Sequence, residues 1–65
     1  MQMNNQGVKA VKVEEAAELI GIGRTLAYGL VSSGALRSLK VGARRLVPVT
    51  AIEEFIERQS RQADA

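Results

Sequence analysis

Hydrophobic and polar residues alternate with a helical period in the segment VEEAAELIG, which begins at Val13. At about 100° per residue, the apolar residues share one side of a helix and the glutamates share the other. The two sides are Val13, Ala16, Ala17 and Ile20, and Glu14, Glu15 and Glu18. This pattern predicts a half-buried helix with an acidic outer face. Gly21 and Gly23 bracket Ile22, which predicts a tight turn whose middle residue packs in the core.

A second helical pattern follows in RTLAYGLVSS and ends at Gly34, a residue favoured at left-handed helix C-caps. The predicted apolar stripe is Leu26, Ala27, Leu30 and Val31. The opposite side holds Arg24, Thr25, Tyr28 and Ser32, with Gly29 at its border. Two short helices joined by such a turn are typical of a helix-turn-helix, although an ordinary helical hairpin has the same spacing.

The period then changes to two, which is the period of a β-strand. Leu39 and Val41 lie on one side and Ser38 and Lys40 on the other, before a turn at Gly42 and the return run LVPV. The pattern predicts a β-hairpin. Pro48 cannot donate to a strand ladder, so we place it at a strand end or on an edge.

The sequence TAIE, residues 50–53, has the form of a helix capping box with Thr50 as N-cap. It predicts a last helix on which Ile52, Phe55, Ile56 and Gln59 share one face, with Phe55 filling the core beneath the hairpin. The predicted fold class is α+β, mostly helical, a small winged helix-turn-helix with a β-hairpin wing and a C-terminal helix. Residues 1–8 are expected to be disordered, residues 9–59 to form the domain, and residues 60–65 to form a flexible tail.

Composition removes several kinds of chemistry. The chain has 65 residues, no cysteine and no histidine, which excludes disulfides, thiolate or imidazole metal sites and Cys/His or Ser-His-Asp nucleophiles. Nothing has the spacing of a carboxylate metal site. The exposed glutamates have no partner base, so we expect no enzyme, no metal and no cofactor. No stretch approaches the ~18 apolar residues of a membrane span, and the polar start lacks the features of a secretory signal.

The order of charges along the chain is uneven, although the net charge is only +2. No acidic residue occurs from Leu19 to Ile52. The basic residues of that span are Arg24, Arg37, Lys40, Arg44 and Arg45. A basic middle between two acidic helices favours a polyanionic partner, with chance clustering on a solvated surface as the alternative.

The ordered set VEEAAELIGIGRTLAYGLVSSGAL, VGARRLVP and TAIEEFI resembles the excisionase-type DNA-binding domains, relatives of the MerR-like winged helix. The resemblance covers residues 11–56. It implies that the second helix lies in the major groove of double-stranded DNA and that the hairpin wing reaches phosphates or the minor groove. The candidate DNA-binding residues are Arg24, Thr25, Tyr28, Gly29, Ser32, Arg37, Lys40, Arg44 and Arg45.

Three positions depart from the family pattern. Ala43 stands where the family commonly has a basic residue, and Gly29 where a long polar side chain is usual, so both changes weaken the expected grip on DNA. Gly29 instead offers a close approach of the helix backbone to DNA. Leu26 occupies a position that is often polar, but the helical wheel places it on the apolar stripe, and we predict that it packs. Protection of an edge strand is the alternative role for the hairpin arginines.

The resemblance implies a sequence-specific architectural protein, an excisionase or recombination directionality factor, which binds repeats near an integrase attachment site and bends DNA. A small transcriptional regulator and a protein-interaction adaptor are the alternatives. The expected partners are DNA and an integrase, in the cytoplasm of a bacterial cell or phage-infected host. No heptad helix follows Gln59, so we expect a monomer in solution. On DNA, the acidic helix faces of one molecule would meet the basic hairpin of the next in a cooperative head-to-tail array.

Overall fold

The computed structural model describes residues 8–64, and the predicted disordered segment lies outside the described residues except for Val8. Strands and helices follow each other in the order β1-α1-α2-β2-β3-α3. Their bounds are β1 Ala10–Lys12, α1 Val13–Ile20, α2 Arg24–Ser33, β2 Leu39–Val41, β3 Arg44–Pro48 and α3 Val49–Asp64. The predicted class is confirmed: a small, mostly helical α+β fold with a helix-turn-helix, a β-hairpin wing and a C-terminal helix.

Glycine ends both helices of the helix-turn-helix. Gly21 has φ 91° and its N–H donates to the carbonyl of Ala17 at 2.8 Å, while Gly34 closes α2 with φ 87°. A residue with a Cβ is strained in this left-handed conformation, so glycine at these positions sets where each helix stops. The short turn between them holds Ile22 against the core.

Within the described residues the sheet has three strands, whereas the sequence predicts only a hairpin. The strand order is β1-β3-β2, with both pairs antiparallel. In the extra pair, Val11 lies opposite Val47 and Ala10 opposite Pro48. β3 is therefore the central strand, and Pro48 is its last residue, at the strand end as predicted.

Among the described residues, the core is small and is formed by ten buried residues, nine from every element except β2 and Leu36 from the loop after α2. They are Val11, Val13, Ala16, Ala17, Ala27, Leu36, Val47, Ala51, Ile52 and Phe55. Phe55 is buried, as predicted. Leu36 is 1% exposed and is among the largest fully buried side chains, so the loop that carries it is fixed to the core.

Both predicted ends of α3 are wrong. The helix begins at Val49, so Thr50 lies inside it and is not the N-cap. The N–H of Val49 donates to the carbonyl of Lys9 at 2.8 Å, because β1 brings that carbonyl to the start of the helix. At the other end the helix runs to Asp64, through residues 60–64, for which the sequence predicts a flexible tail. An ion pair between Glu57 and Arg61, 3.5 Å apart at i,i+4 spacing, favours this extension.

The packing prediction for Leu26 is also wrong, since its side chain is 56% exposed. Ala27 is fully buried and marks the direction of the core. Leu26 lies about 100° from Ala27 around the helix, at the edge of the apolar stripe, where α1 and α3 do not cover it completely. It lines a shallow apolar groove with Ile20 and Ile56.

Candidate nucleic-acid interface

The face of α2 that points away from the core is polar and open. All five predicted residues of this helix, Arg24, Thr25, Tyr28, Gly29 and Ser32, are exposed. A Cβ added at Gly29 would meet no atom within 4 Å, and Gly29 does not have a positive φ. The fold therefore does not require glycine at this position, although it costs the helix roughly 1 kcal/mol relative to alanine.

The β2–β3 wing has a two-residue tip formed by Gly42 and Ala43. Gly42 has φ 62°, and its positive φ at the first central position, with none at Ala43, matches a type II′ hairpin turn. Val41 lies opposite Arg44 and Lys40 opposite Arg45. Because side chains alternate along a strand, the two arginines leave opposite faces of β3.

Arg45 is the residue that joins the wing to α2. It lies two residues before Val47, so both side chains leave the same face of β3. Val47 packs in the core, and Arg45 continues that face beyond the edge of the core to a shallow depression that it lines with Tyr28 and Ser32. The guanidinium of Arg45 also donates to the hydroxyl of Ser38 at 3.4 Å.

A second depression lies on the other side of Tyr28, between the start of α1 and the wing, and shares Arg45 with the first. The two together form one concave surface, which we call the wing groove. The polar residues of the wing groove are Lys12, Glu14, Tyr28, Ser32, Arg44 and Arg45.

Glu14 and Tyr28 form a short hydrogen bond inside the wing groove. The Tyr28 hydroxyl donates to Oε2 of Glu14 at 2.5 Å. This bond is the main reason that the pKa of Glu14 lies below its ordinary 4.5, with smaller contributions from the charges of Arg24 and Lys12. The same bond raises the pKa of Tyr28 above its ordinary 10.0. The helical period of α1 predicts that Glu14 lies on an outer acidic face, because the period of one helix does not show how α1 packs on α2.

Arg37 lies further along, in the loop between α2 and β2. Its Nη2 is 3.2 Å from Oε1 of Glu54 on α3, in an exposed pair of the kind that contributes little stability. A third depression contains Arg37 together with Arg45 and Arg58, and Arg58 donates to the carbonyl of Ala35 at 2.8 Å. The sequence does not predict Arg58 for this surface, since it lies on α3 outside the basic span.

The charge arrangement in space thus differs from the order along the chain. The segment from Leu19 to Ile52 has no acidic residue, but the fold places Glu14 beside Tyr28 and Glu54 beside Arg37. Lys40 stays exposed on the edge strand opposite Arg45. Of the nine predicted residues, Tyr28, Ser32, Arg44 and Arg45 lie together in the wing groove. Arg24 and Thr25 begin α2, and the role of all nine in DNA binding stays a prediction.

Metal-binding clusters and membrane-spanning helices are absent from the described residues. Within residues 8–63, no three acidic side chains gather where a metal ion would be held. In the same part of the chain, each helix is too short or too polar to cross a membrane.

Comparison with known proteins identifies the fold family. The sequence model of the helix-turn-helix domain family matches residues 10–60. A protein of Saccharopolyspora erythraea named "Probable excisionase" is 45% identical over 53 residues, which are 82% of this chain and 54% of that protein. The chain therefore spans about half the length of the curated relative it matches, and no solved structure matches it. Together, the matched family and the observed helix-turn-helix and wing show that the chain belongs to the excisionase-type helix-turn-helix family of DNA-binding domains.

Proposed function

We propose that the protein binds double-stranded DNA with α2 in the major groove and the β2–β3 wing on the neighbouring backbone, and that it acts as an excisionase. The proposal rests on one observation: the open polar face of α2 and the basic wing meet at Arg45 and form one surface. A helix and an arginine-bearing hairpin side by side suit the groove and the phosphates of B-DNA at the same time.

Two sets of residues take different roles in this proposal. Arg44 and Arg45 neutralise phosphates, with Lys40, Arg37 and Arg58 extending the basic surface toward α3. Side chains on the open face of α2 reach base edges, and the bare backbone at Gly29 allows the helix to sit deep in the groove. The base-reading set is Arg24, Thr25, Tyr28 and Ser32.

The excisionase role rests on the similarity to the S. erythraea protein, of which this chain matches about half. In this role the protein binds direct repeats beside an integrase attachment site, bends the DNA and determines the direction of recombination. It does this by bending DNA and contacting the integrase. The integrase itself cleaves and rejoins the DNA strands. The same surface at a promoter would make a transcriptional regulator, which the experiment below separates.

The molecule assembles head to tail on the repeats in this proposal. Glu14, Glu54 and Glu57 have partners within the molecule, Glu57 only in an exposed pair with Arg61, and both Glu53 and Glu57 are exposed on α3. A basic wing on the neighbouring molecule complements these acids, in a heterologous contact that propagates along DNA. Such contacts are weak alone and become significant when DNA raises the effective concentration of neighbours.

The test is an excision assay that combines this protein with an integrase from its source organism and a DNA carrying the attachment sites of that integrase. We expect the protein to stimulate excision, and a circular-permutation gel shift to show a bend at the bound repeats. Binding that bends no DNA, together with unchanged excision and a protein dimer on an inverted repeat, would instead favour the transcriptional regulator.

A further inference from the structure

Glu14 is an unexpected residue in the wing groove, because a carboxylate repels the phosphates that the surrounding basic residues attract. The charged groups facing it are Lys12, Arg24, Arg44 and Arg45, from β1, α2 and β3. Glu14 has no ion pair with any of them within the described residues, and its close partner is the Tyr28 hydroxyl. The carboxylate is exposed on the surface that would face DNA.

The hydrogen bond between Tyr28 and Glu14 determines which hydrogen-bonding groups these two side chains offer to DNA. The Tyr28 proton is committed to Glu14, which leaves the hydroxyl oxygen and the carboxylate as acceptors only. A phosphate group also offers only acceptors, so the Glu14–Tyr28 pair offers it no donor. The amino groups of cytosine and adenine are donors exposed in the major groove, and they match an acceptor pair of this kind.

We propose that Glu14 is a specificity-determining residue of the DNA-binding surface, which penalises contact with phosphate alone and accepts a site that presents a base amino group. The inference rests on the proposed DNA binding and adds a residue that the family resemblance did not supply. In this proposal the wing arginines attract the DNA phosphates, and the Glu14–Tyr28 pair discriminates between DNA sequences. Specificity commonly needs such a repulsive element alongside the attractive ones.

A purely local role for Glu14 makes different predictions. Acidic residues in the first turn of a helix interact favourably with its dipole, and Glu15 is a second acid in that turn of α1. A dipole role would change the stability of the domain and leave the preference between DNA sequences as it was. The two roles therefore separate in a binding experiment.

The experiment compares Glu14→Gln with Glu18→Gln. Both replacements remove one negative charge from an exposed position of α1, but Glu18 lies beside Val11 and Leu19, away from the wing. Each variant is titrated against a duplex carrying one specific site and against a random duplex of equal length and salt. Using single-site DNA removes any contribution from assembly between neighbours, and circular dichroism checks that both variants are folded.

We expect Glu14→Gln to bind random DNA roughly fivefold more tightly than Glu18→Gln does, the scale of one unit charge a few ångströms away in water. Its ratio of specific to random affinity should fall by at least the same factor. Equal affinities and equal ratios for the two variants would overturn the role of Glu14. If wild-type protein fails to bind DNA, or binds it unchanged after Arg44 and Arg45 are replaced by alanine, the proposed function itself fails.

A measurement without DNA tests the bond on which the inference stands. Tyr28 is the sole tyrosine and the chain has no tryptophan, so near-ultraviolet absorbance reports its ionisation alone. Replacing Glu14 by glutamine removes the negative charge that holds the proton, and the pKa of Tyr28 should fall toward its ordinary value. Glu18→Gln should leave the titration as in wild type. An unchanged Tyr28 titration in Glu14→Gln would show that the bond is not formed and would remove the basis of the inference.

Discussion

The Glu14–Tyr28 hydrogen bond predicts that the stability of the domain depends on pH, with the contribution of the bond lost in acid and in alkali. The pKa of Glu14 is lowered on folding, so its contribution is present above pH 4.5 and is lost as pH falls through the folded-state pKa. The pKa of Tyr28 is raised on folding, so its contribution is present below pH 10.0 and is lost as pH rises through the folded-state pKa.

Tyr28→Phe removes the hydroxyl and keeps the ring, and it should therefore lower stability in the neutral range. The difference from wild type should shrink in acid, when Glu14 is protonated, and again in alkali, when Tyr28 is ionised. Urea midpoints measured across pH test this. A difference that stays constant from acid to alkali would indicate that the hydroxyl stabilises the fold without Glu14.

Two leucines provide a matched pair for the core. Leu36 is 1% exposed, and Leu36→Ala should cost about 2–5 kcal/mol of unfolding free energy, because it removes buried methyl groups and leaves a cavity. Leu26 is 56% exposed, and Leu26→Ala should change stability by less than about 1 kcal/mol. Chemical denaturation of both variants checks the prediction. Similar losses would mean that Leu26 packs as the sequence pattern first indicated.

At the scale of elements, the wing is the part whose contribution to binding is most easily isolated. Replacing Arg44 and Arg45 by alanine should weaken binding to all DNA sequences and flatten the slope of log affinity against log salt by about 1 to 2 units, since each phosphate contact releases counterions. Arg61→Ala is the control, because Arg61 lies in the last turn of α3 and pairs with Glu57. A slope that stays at the wild-type value would show that the wing does not contact DNA.

The elements that the sequence predicted well are those specified by neighbouring residues. The period of α1 and α2 and the glycines at 21 and 34 are local signals, and the helices end where those glycines stand. β1 has only three residues, too few to show a period, and it exists because Val11 pairs with Val47 across the chain. The start of α3 differs from the prediction for the same reason, since the N–H of Val49 donates to the carbonyl of Lys9, which is distant in sequence.

The candidate site likewise combines residues that the sequence predicts with contacts that it does not predict. The residues of α2 were predicted from a helical wheel, and all of them are exposed. The partners that modify them come from other elements. Glu14 lies 14 positions before Tyr28, and Glu54 lies 17 positions after Arg37, so neither contact has a local signature in the sequence.

At the scale of the whole molecule, the proposal predicts a monomer that becomes cooperative only on DNA. Sedimentation should show a monomer, and binding to several direct repeats should be steeper than binding to one. Glu53→Lys should reduce that steepness while leaving single-site affinity close to wild type, because Glu53 faces outward from α3. A stable dimer without DNA, or steepness that Glu53→Lys does not affect, would contradict this form of assembly.

The central position of β3 ties the wing to the cooperative unfolding of the domain. Its core residue Val47 is fully buried, and its hydrogen bonds run to strands on both sides, one of which is 36 positions earlier at Val11. Amides in such a strand exchange with solvent mainly through large openings, in contrast to those of a free hairpin. The wing then loses its structure together with the core. A mutation that destabilises the core therefore lowers the fraction of molecules that are folded and able to bind DNA. In the molecules that remain folded, the wing keeps its structure.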